Sequence, residues 1–192
     1  MLKLIAYTLL VLSGLALVYA ILMYNRLIML MHNVRKSWSN IDVVLKQRHD
    51  ELPKLVATCK EYMRHEQTTL ERVIEARSRV AAAREAHDLP ALGTAEQLLR
   101  GGLGQLFALV ERYPDLKANE TFQHLRGRIT GLENAIADRR EFYNDGVNHY
   151  NVAIEQFPEL VIAKGFSFKP DALLEFDGTE VADVNVTALF QS

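Results

Sequence analysis

The residues best suited to chemistry in this chain are few, and their spacing points away from catalysis. Di-iron centres in four-helix proteins draw ligands from Glu-x-x-His pairs, in which positions three apart share one helical face. Here Glu61 and His65 are four apart, as are Glu120 and His124. His65-Glu66 would begin a zinc-protease motif, but no second His stands at the spacing that motif requires. Gly101-Gly102-Leu103-Gly104 has the glycines of a phosphate-binding loop without its Lys-Ser/Thr partner, and no Gly-x-Ser-x-Gly elbow occurs. One Cys and six His supply neither a disulfide framework nor a four-ligand zinc knuckle. Cys59 falls on an apolar helical stripe, as a buried thiol would. These residue types predict no catalytic residue, no metal site, no cofactor and no enzyme.

Three charged residues are less ordinary. Arg48, Glu66 and Arg139 fall where the apolar stripes predict core. Their long stems would let the charges snorkel to the rim. Alternatively they form a buried ionic cluster joining the first and third helices, and removing one partner would then cost about 3 to 5 kcal/mol. Tyr143-Asn144 and Tyr150-Asn151 repeat seven apart, placing both Asn on one face beside an aromatic stripe. Such an Asn either specifies pairing with a partner helix or solvates the rim. Trp38 shares a stripe with Val34 and Ile41, which predicts core packing rather than lipid contact.

The elements that must carry these residues begin with an uninterrupted apolar run from Leu4 to Met23, fenced by Lys3 and Arg26. Twenty residues without a charge, at about 1.5 Å rise each, span roughly 30 Å, the thickness of a bilayer's hydrocarbon core. Leu4, Leu10, Leu15, Ile21 and their apolar neighbours each favour insertion by about 0.3 to 0.6 kcal/mol, a sum on the order of 3 to 6 kcal/mol. Tyr7, Tyr19 and Tyr24 stand toward the ends, where amphipathic rings suit the interface. A secretory signal peptide cut after Val18-Tyr19-Ala20 is the competing reading, but the run continues through Ile21-Leu22-Met23 and exceeds a signal's apolar region. A retained single-pass anchor is expected. Arg26, Arg35 and Lys36 follow the span and only Lys3 precedes it, which favours a cytoplasmic C-terminal body. His32, Arg35 and Lys36 also form a small basic collar able to attract anionic headgroups.

Beyond the anchor, about 165 residues suffice for one domain with a core of its own. The net charge of −2 argues against a nucleic-acid partner, which needs a basic face. From Leu27 the apolar residues recur at alternating steps of four and three through Met31, Val34, Trp38, Ile41 and Leu45, and then, seven residues on, through Leu52, Leu55, Cys59 and Tyr62. A related stripe continues through Leu70, Val73, Ile74 and Val80. The spacing predicts coiled-coil-like packing along one very long helix, about Tyr24 to Ala86. Pro53 predicts a kink near Glu51, or a true break there.

Asp88-Leu89-Pro90 closes that segment, and Thr94 with Gln97 reads as a capping box for a second helix ending at Tyr113-Pro114. Gly101, Gly102 and Gly104 inside it mark either close backbone approach or a hinge. Asn119 is a candidate N-cap for a third helix reaching Phe157, and residues 161–163 suggest a short fourth element. After Lys169 every charge is acidic; Asp177-Gly178 signals a turn, and Val184, Val186 and Ala188 alternate as a strand would. A tail of this kind would fit against a neighbouring subunit.

The fold class predicted is all-α: one N-terminal transmembrane helix, an elongated antiparallel helical bundle and an extended or β-like C-terminal tail. The corresponding segments are residues 1–25, 26–165 and 166–192.

Across residues 24–168 the chain resembles the LemA family of bacterial membrane-anchored proteins. The first block that carries the resemblance is Tyr24-Asn25-Arg26-Leu27, then Trp38, Ile41-Asp42-Val43, Leu45-Lys46-Gln47-Arg48, Asp50, Leu52-Pro53, His65-Glu66 and Val73-Ile74-Glu75-Ala76-Arg77. The second is Tyr113-Pro114-Asp115-Leu116-Lys117-Ala118-Asn119. The third comprises Glu133-Asn134-Ala135-Ile136, Arg139, Tyr143-Asn144, Tyr150-Asn151 and Phe157-Pro158. The resemblance implies a bacterial cytoplasmic-membrane protein with a helical bundle and no established enzymatic activity, some relatives being associated with membrane invagination and organelle formation. It also marks Trp38, Asp42, Pro53, Tyr113, Pro114, Asn134, Tyr143, Asn144, Tyr150 and Asn151 as motif positions with an interaction role. The stretched Gly165-Phe166-Ser167-Phe168-Lys169-Pro170 and the extension after it depart from the family pattern. The function expected is a membrane-bound scaffold that self-assembles as a homo-oligomer, or else an adaptor binding one membrane protein, such as a protease, or a peptide.

Overall fold

The computed structural model describes residues 1–176, and every regular element among them is α-helical. Six helices follow in order: α1 Leu2–Tyr62, α2 Gln67–Glu85, α3 Leu89–Val110, α4 Pro114–Ala118, α5 Glu120–Glu155 and α6 Glu159–Gly165. They form two compact units: Met1–Gln47 with Gly131–Leu173, and Arg48–Thr130 with the chain from Leu174. The expected turn at Asp177-Gly178 and strand at Val184, Val186 and Ala188 lie outside the described residues.

In the first unit, α1 starts as a bare apolar helix. Leu4, Leu10, Leu15 and Ile21 are all exposed, Leu4 by 72%. Its two aliphatic hydroxyls are turned back onto their own helix, Thr8 donating to the Ile5 carbonyl at 2.8 Å and Ser13 to that of Leu10 at 2.9 Å. From Met23 onward the helix acquires a core face. Met23, Leu27, Val34, Ile41, Val44 and Leu45 are buried, as are Ile136, Tyr143, Val147, Tyr150 and Ile154 of α5. The two helices pack antiparallel: a Cβ added to Gly146 would lie 3.9 Å from Val34, and the Trp38 and Tyr143 rings meet at 5.8 Å. Beyond α5 the chain turns into α6, which ends in a left-handed residue, Ser167 (φ 58°). The Phe168 amide then reaches back to the Ala163 carbonyl at 2.9 Å, satisfying one of the carbonyls a helix end leaves open.

In the second unit, the final turns of α1 pack with α2–α4 and the start of α5. The expected single helix to Ala86 is corrected here: α1 ends at Tyr62, and residues 63–66 form a turn before α2. Pro53 does not break the helix. Proline removes the amide that would bond the carbonyl four residues back, that of His49. Arg77 of α2 supplies the missing donor, its Nε reaching that carbonyl at 2.9 Å. The reversal at 63–66 is fixed by tertiary contacts instead. Met63 is fully buried, the Tyr113 hydroxyl donates to Glu66 at 3.3 Å, and Asn119 donates to the Tyr62 hydroxyl at 3.1 Å.

The capping-box reading of Thr94 is also corrected. Helix α3 begins at Leu89, five residues earlier than Thr94, with the Asp88 carboxylate accepting from the Ala91 amide at 3.0 Å and Pro90 in the first turn. Thr94 lies inside the helix, and its hydroxyl bonds the Pro90 carbonyl. Asn119 caps α5 as expected, accepting from the Phe122 amide at 2.9 Å. Of Gly101, Gly102 and Gly104, only Gly102 approaches another element, with Val73 of α2 at 3.5 Å from an added Cβ; Gly101 and Gly104 face open space. The helix runs through all three, which removes the hinge reading.

Candidate functional site

The second unit holds an ion pair where an apolar core would be expected. Arg48 is 1% exposed and Glu96 is fully buried, and the Arg48 guanidinium binds the Glu96 carboxylate. One turn along α1, buried Glu51 takes Arg128 of α5 at 3.0 Å and Lys54 at 3.3 Å. Arg77 crosses to the same helix, donating from Nη2 to His49 Nε2 at 2.6 Å as well as to the His49 carbonyl. An Arg can only donate, so Nε2 accepts and the ring proton sits on Nδ1. Burial, and then the neighbouring Arg77 charge, hold the imidazole below its usual value. Cys59 is fully buried and its thiol is pushed up to about 12 by burial, so it is no nucleophile.

The expected cluster of Arg48, Glu66 and Arg139 is not formed as such. Arg48 takes its carboxylate from Glu96, while Glu66, half-buried at the α1–α2 turn, receives Tyr113. Arg139 lies in the other unit, where its Nη1 donates to the Ala135 carbonyl of its own helix at 3.5 Å. A helix starting at Thr94 would put Glu96 in an exposed first turn, so spacing alone does not mark it as a core residue. With α3 starting at Leu89, Glu96 falls on the buried stripe of Leu92, Leu99 and Leu103.

In the first unit the motif tyrosines form a ladder that fastens the segment after α6. Tyr143 donates to the Ala172 carbonyl and Tyr150 to that of Lys169, both at 2.9 Å. Asn151 both donates to the Asp171 carbonyl and accepts from the Asp171 amide, at 2.9 and 3.0 Å. Burial raises Tyr143 to about 12 and Tyr150 in the same direction, Asp171 adding to both, so the two remain donors. Trp38 is half-buried against Tyr143, while Asn144 and Asp42 are half-buried and Asn134 is exposed. Pro53 is half-buried in α1, Tyr113 half-buried before α4, and Pro114 exposed at its first position. Met23, the last of the expected anchor residues, is buried in the unit rather than facing outward.

The segment then enters the second unit. Leu174 is buried, the Glu175 carbonyl lies where a Cβ on Gly93 would stand, at 2.0 Å, and Phe176 lies under Arg100 at 5.2 Å. Gly93 is a requirement that no spacing in the sequence reveals. An open groove of ≈ 400 Å³ runs between α2 and α3, lined by Arg72, Arg79, Gln97, Leu98 and Gly101 among others. Among the described residues no group of three or more His, Cys, Asp or Glu side chains converges as a metal site would. Arg48 with Glu96, and Arg77 with the His49 ring and carbonyl, tie α1 to α3 and α2.

One helix among the described residues, α1, is long and apolar enough to cross a membrane. The family model described as the LemA family matches residues 37–187. Among curated relatives, Magnetosome protein MamQ 2 of Paramagnetospirillum magneticum is 25% identical over 185 residues, covering 83% of this chain and 67% of that protein. Magnetosome protein MamQ of Magnetospirillum gryphiswaldense aligns with the same identity and coverage.

Proposed function

This chain belongs to the LemA family, and from that premise we propose that it is a non-enzymatic scaffold held in a bacterial cytoplasmic membrane by α1. Its helical part lies on the cytoplasmic side and self-assembles laterally to organise membrane or partner proteins. One observation carries the reading. The exposed apolar stretch from Leu2 to Leu22 continues in the same helix, without a joint, into the packed face that starts at Met23. A helix built this way transmits the orientation of the body to the membrane, as a scaffold requires and a cleaved leader would not. The magnetosome proteins aligned above are named for a bacterial organelle, which suits a membrane-organising role. Size analysis of the full chain in mild detergent, combined with cross-linking in cells, tests the assembly. A ladder of homo-oligomers is expected; a strictly monomeric, uncross-linked species removes self-assembly from the proposal. Protease added to right-side-out cells tests the orientation, and digestion of the body refutes a cytoplasmic placement.

A second reading, an adaptor that captures one protein or peptide, draws support from the groove between α2 and α3 and its Arg72 and Arg79. It requires a stoichiometric partner that co-purifies one to one and is lost when Leu98 and Gly101 are replaced by bulky residues.

A further inference from the structure

The first unit exposes a group of large apolar side chains at one corner. Phe157 is 78% exposed, Val161 62% and Phe166 63%, all on or beside the short helix α6. Two sets of contacts fix the level of that corner along α1. The Phe166 ring lies 4.8 Å from the Tyr24 ring and the Phe168 ring 5.9 Å from it. Glu159, buried at the start of α6, accepts from Arg26 at 2.7 Å. Tyr24 and Arg26 follow directly on the apolar run, and three residues of helix advance only about 4.5 Å. The corner therefore sits at the height where a bilayer's hydrocarbon core gives way to its headgroups.

Which residues face outward there matters as much as where they are. The corner's one buried carboxylate, Glu159, is paired with Arg26, while Lys164 and Lys169 are exposed and free to meet lipid phosphates. Aromatic and branched apolar side chains beside lysines are the composition that lies in a membrane interface, burying its apolar face about 5 to 10 Å deep. The direction of the chain agrees. Helix α5 runs antiparallel to α1 and so toward the span, α6 forms the turn, and the Tyr150 and Tyr143 bonds to Lys169 and Ala172 lead the chain back.

We infer that the α6 corner, through Phe157, Val161 and Phe166, is a second membrane contact that inserts into the interface beside the α1 span and sets how the first unit stands on the bilayer. The inference rests on the reading of α1 as a membrane span, so its test must separate the two. The full chain carries one added thiol at Val161→Cys, Phe157→Cys, Leu12→Cys or Val43→Cys, bears an environment-sensitive fluorophore, and is reconstituted into phosphatidylcholine–phosphatidylglycerol vesicles. Buried Cys59, with its raised thiol, leaves little background, which the unsubstituted chain measures. Val43, also exposed, is the aqueous reference, since seventeen residues beyond Arg26 put it roughly 25 Å further along α1. Nitroxide lipids should cut emission at least roughly twofold at positions 161 and 157, with shallow nitroxides most effective, and at position 12 with deep ones, while position 43 is unaffected. Labels at 161 and 157 that behave like the one at 43, while 12 is quenched, overturn the corner contact and leave the span standing. An unquenched position 12 removes the span, and the corner contact with it. Labels at 161 and 157 shielded from aqueous iodide yet untouched by nitroxide lipids mean that protein covers the corner, which also overturns the inference.

Discussion

At the scale of single residues, the ion pair of Arg48 and Glu96 has the clearest consequences. Two charges removed from water are tolerated only as a pair, and a buried pair stabilises little more than apolar residues of the same size would. Arg48→Met in the full chain therefore leaves the Glu96 charge uncompensated and should destabilise by about 3 to 5 kcal/mol, whereas Arg48→Met with Glu96→Leu should recover most of that loss. Urea midpoints in detergent decide it: a double variant as unstable as the single one means that packing, not charge, is at stake. His49 adds a pH dependence whose sign follows from its environment. Its imidazole is held below 6.5 by burial and by Arg77. The unfolded chain thus binds the proton more readily, so the stability linked to His49 is complete above about 6.5 and lost as pH falls below it toward the lowered folded value. Arg84 opposes protonation as Arg77 does, while Asp50 and Glu85 favour it, and the net direction is downward. Unfolding midpoints should drop between about pH 7 and pH 5.5, and His49→Gln should flatten that part of the profile. An identical profile in the variant would assign the dependence to other groups. The ion pair was half legible in the sequence, and the role of His49 was not. Arg48 stood out as a charge on an apolar stripe, but its partner depended on where another helix starts.

At the scale of elements, Pro53 and Arg77 show how a local rule is overridden from a distance. Proline should disturb α1, because its missing amide orphans the His49 carbonyl. The helix persists because Arg77 of α2 donates to that carbonyl at 2.9 Å. Loss of this donor should cost about 1 to 3 kcal/mol in the natural background. It should cost about 1 kcal/mol less in Pro53→Ala, where the residue 53 amide again reaches the His49 carbonyl. Equal losses for Arg77→Leu in both backgrounds, read from denaturation midpoints, would dissociate the two residues. Apolar periodicity marked the helical stretches but ran α1 and α2 together as one, while Asn119 announced its cap correctly. The turn at 63–66 was not legible, since it contains neither proline nor glycine and is held by Met63 burial and by Tyr113 and Asn119 from distant segments. The start of α3 was misplaced for a different reason. Asp88 before Leu89-Pro90 is as good an N-terminal signal as Thr94 with Gln97, and only the burial of Glu96 distinguishes them.

At the scale of the whole molecule, the decisive property is the unbroken passage of α1 from a fully exposed apolar stretch to a buried core face. The change was visible in the sequence as the end of the charge-free run, but its position was not: Met23 reads as lipid-facing and is buried in the first unit. Spacing could not reveal that difference because Met23 is apolar in either role. In the third family block, Tyr143, Tyr150 and Asn151 of α5 fasten the segment that follows α6. If α1 spans the bilayer, its apolar run is what resists extraction, and the energetics of that run allow a sharp test. The apolar residues of the run favour insertion by a sum on the order of 3 to 6 kcal/mol, and each Arg near the centre opposes it by about 2.5 to 3.5 kcal/mol. One substitution, Leu10→Arg, should leave insertion near balance and lower the membrane-bound fraction only partly. Leu10→Arg with Leu15→Arg adds about 5 to 7 kcal/mol of opposition while deleting two favourable leucines, and should release the chain from the membrane on alkaline extraction. The helices beyond Met23, which make their own core, should remain folded in the released protein by far-ultraviolet circular dichroism. Retention of the double variant in the extracted membrane pellet would show that something other than the α1 span holds this protein in place.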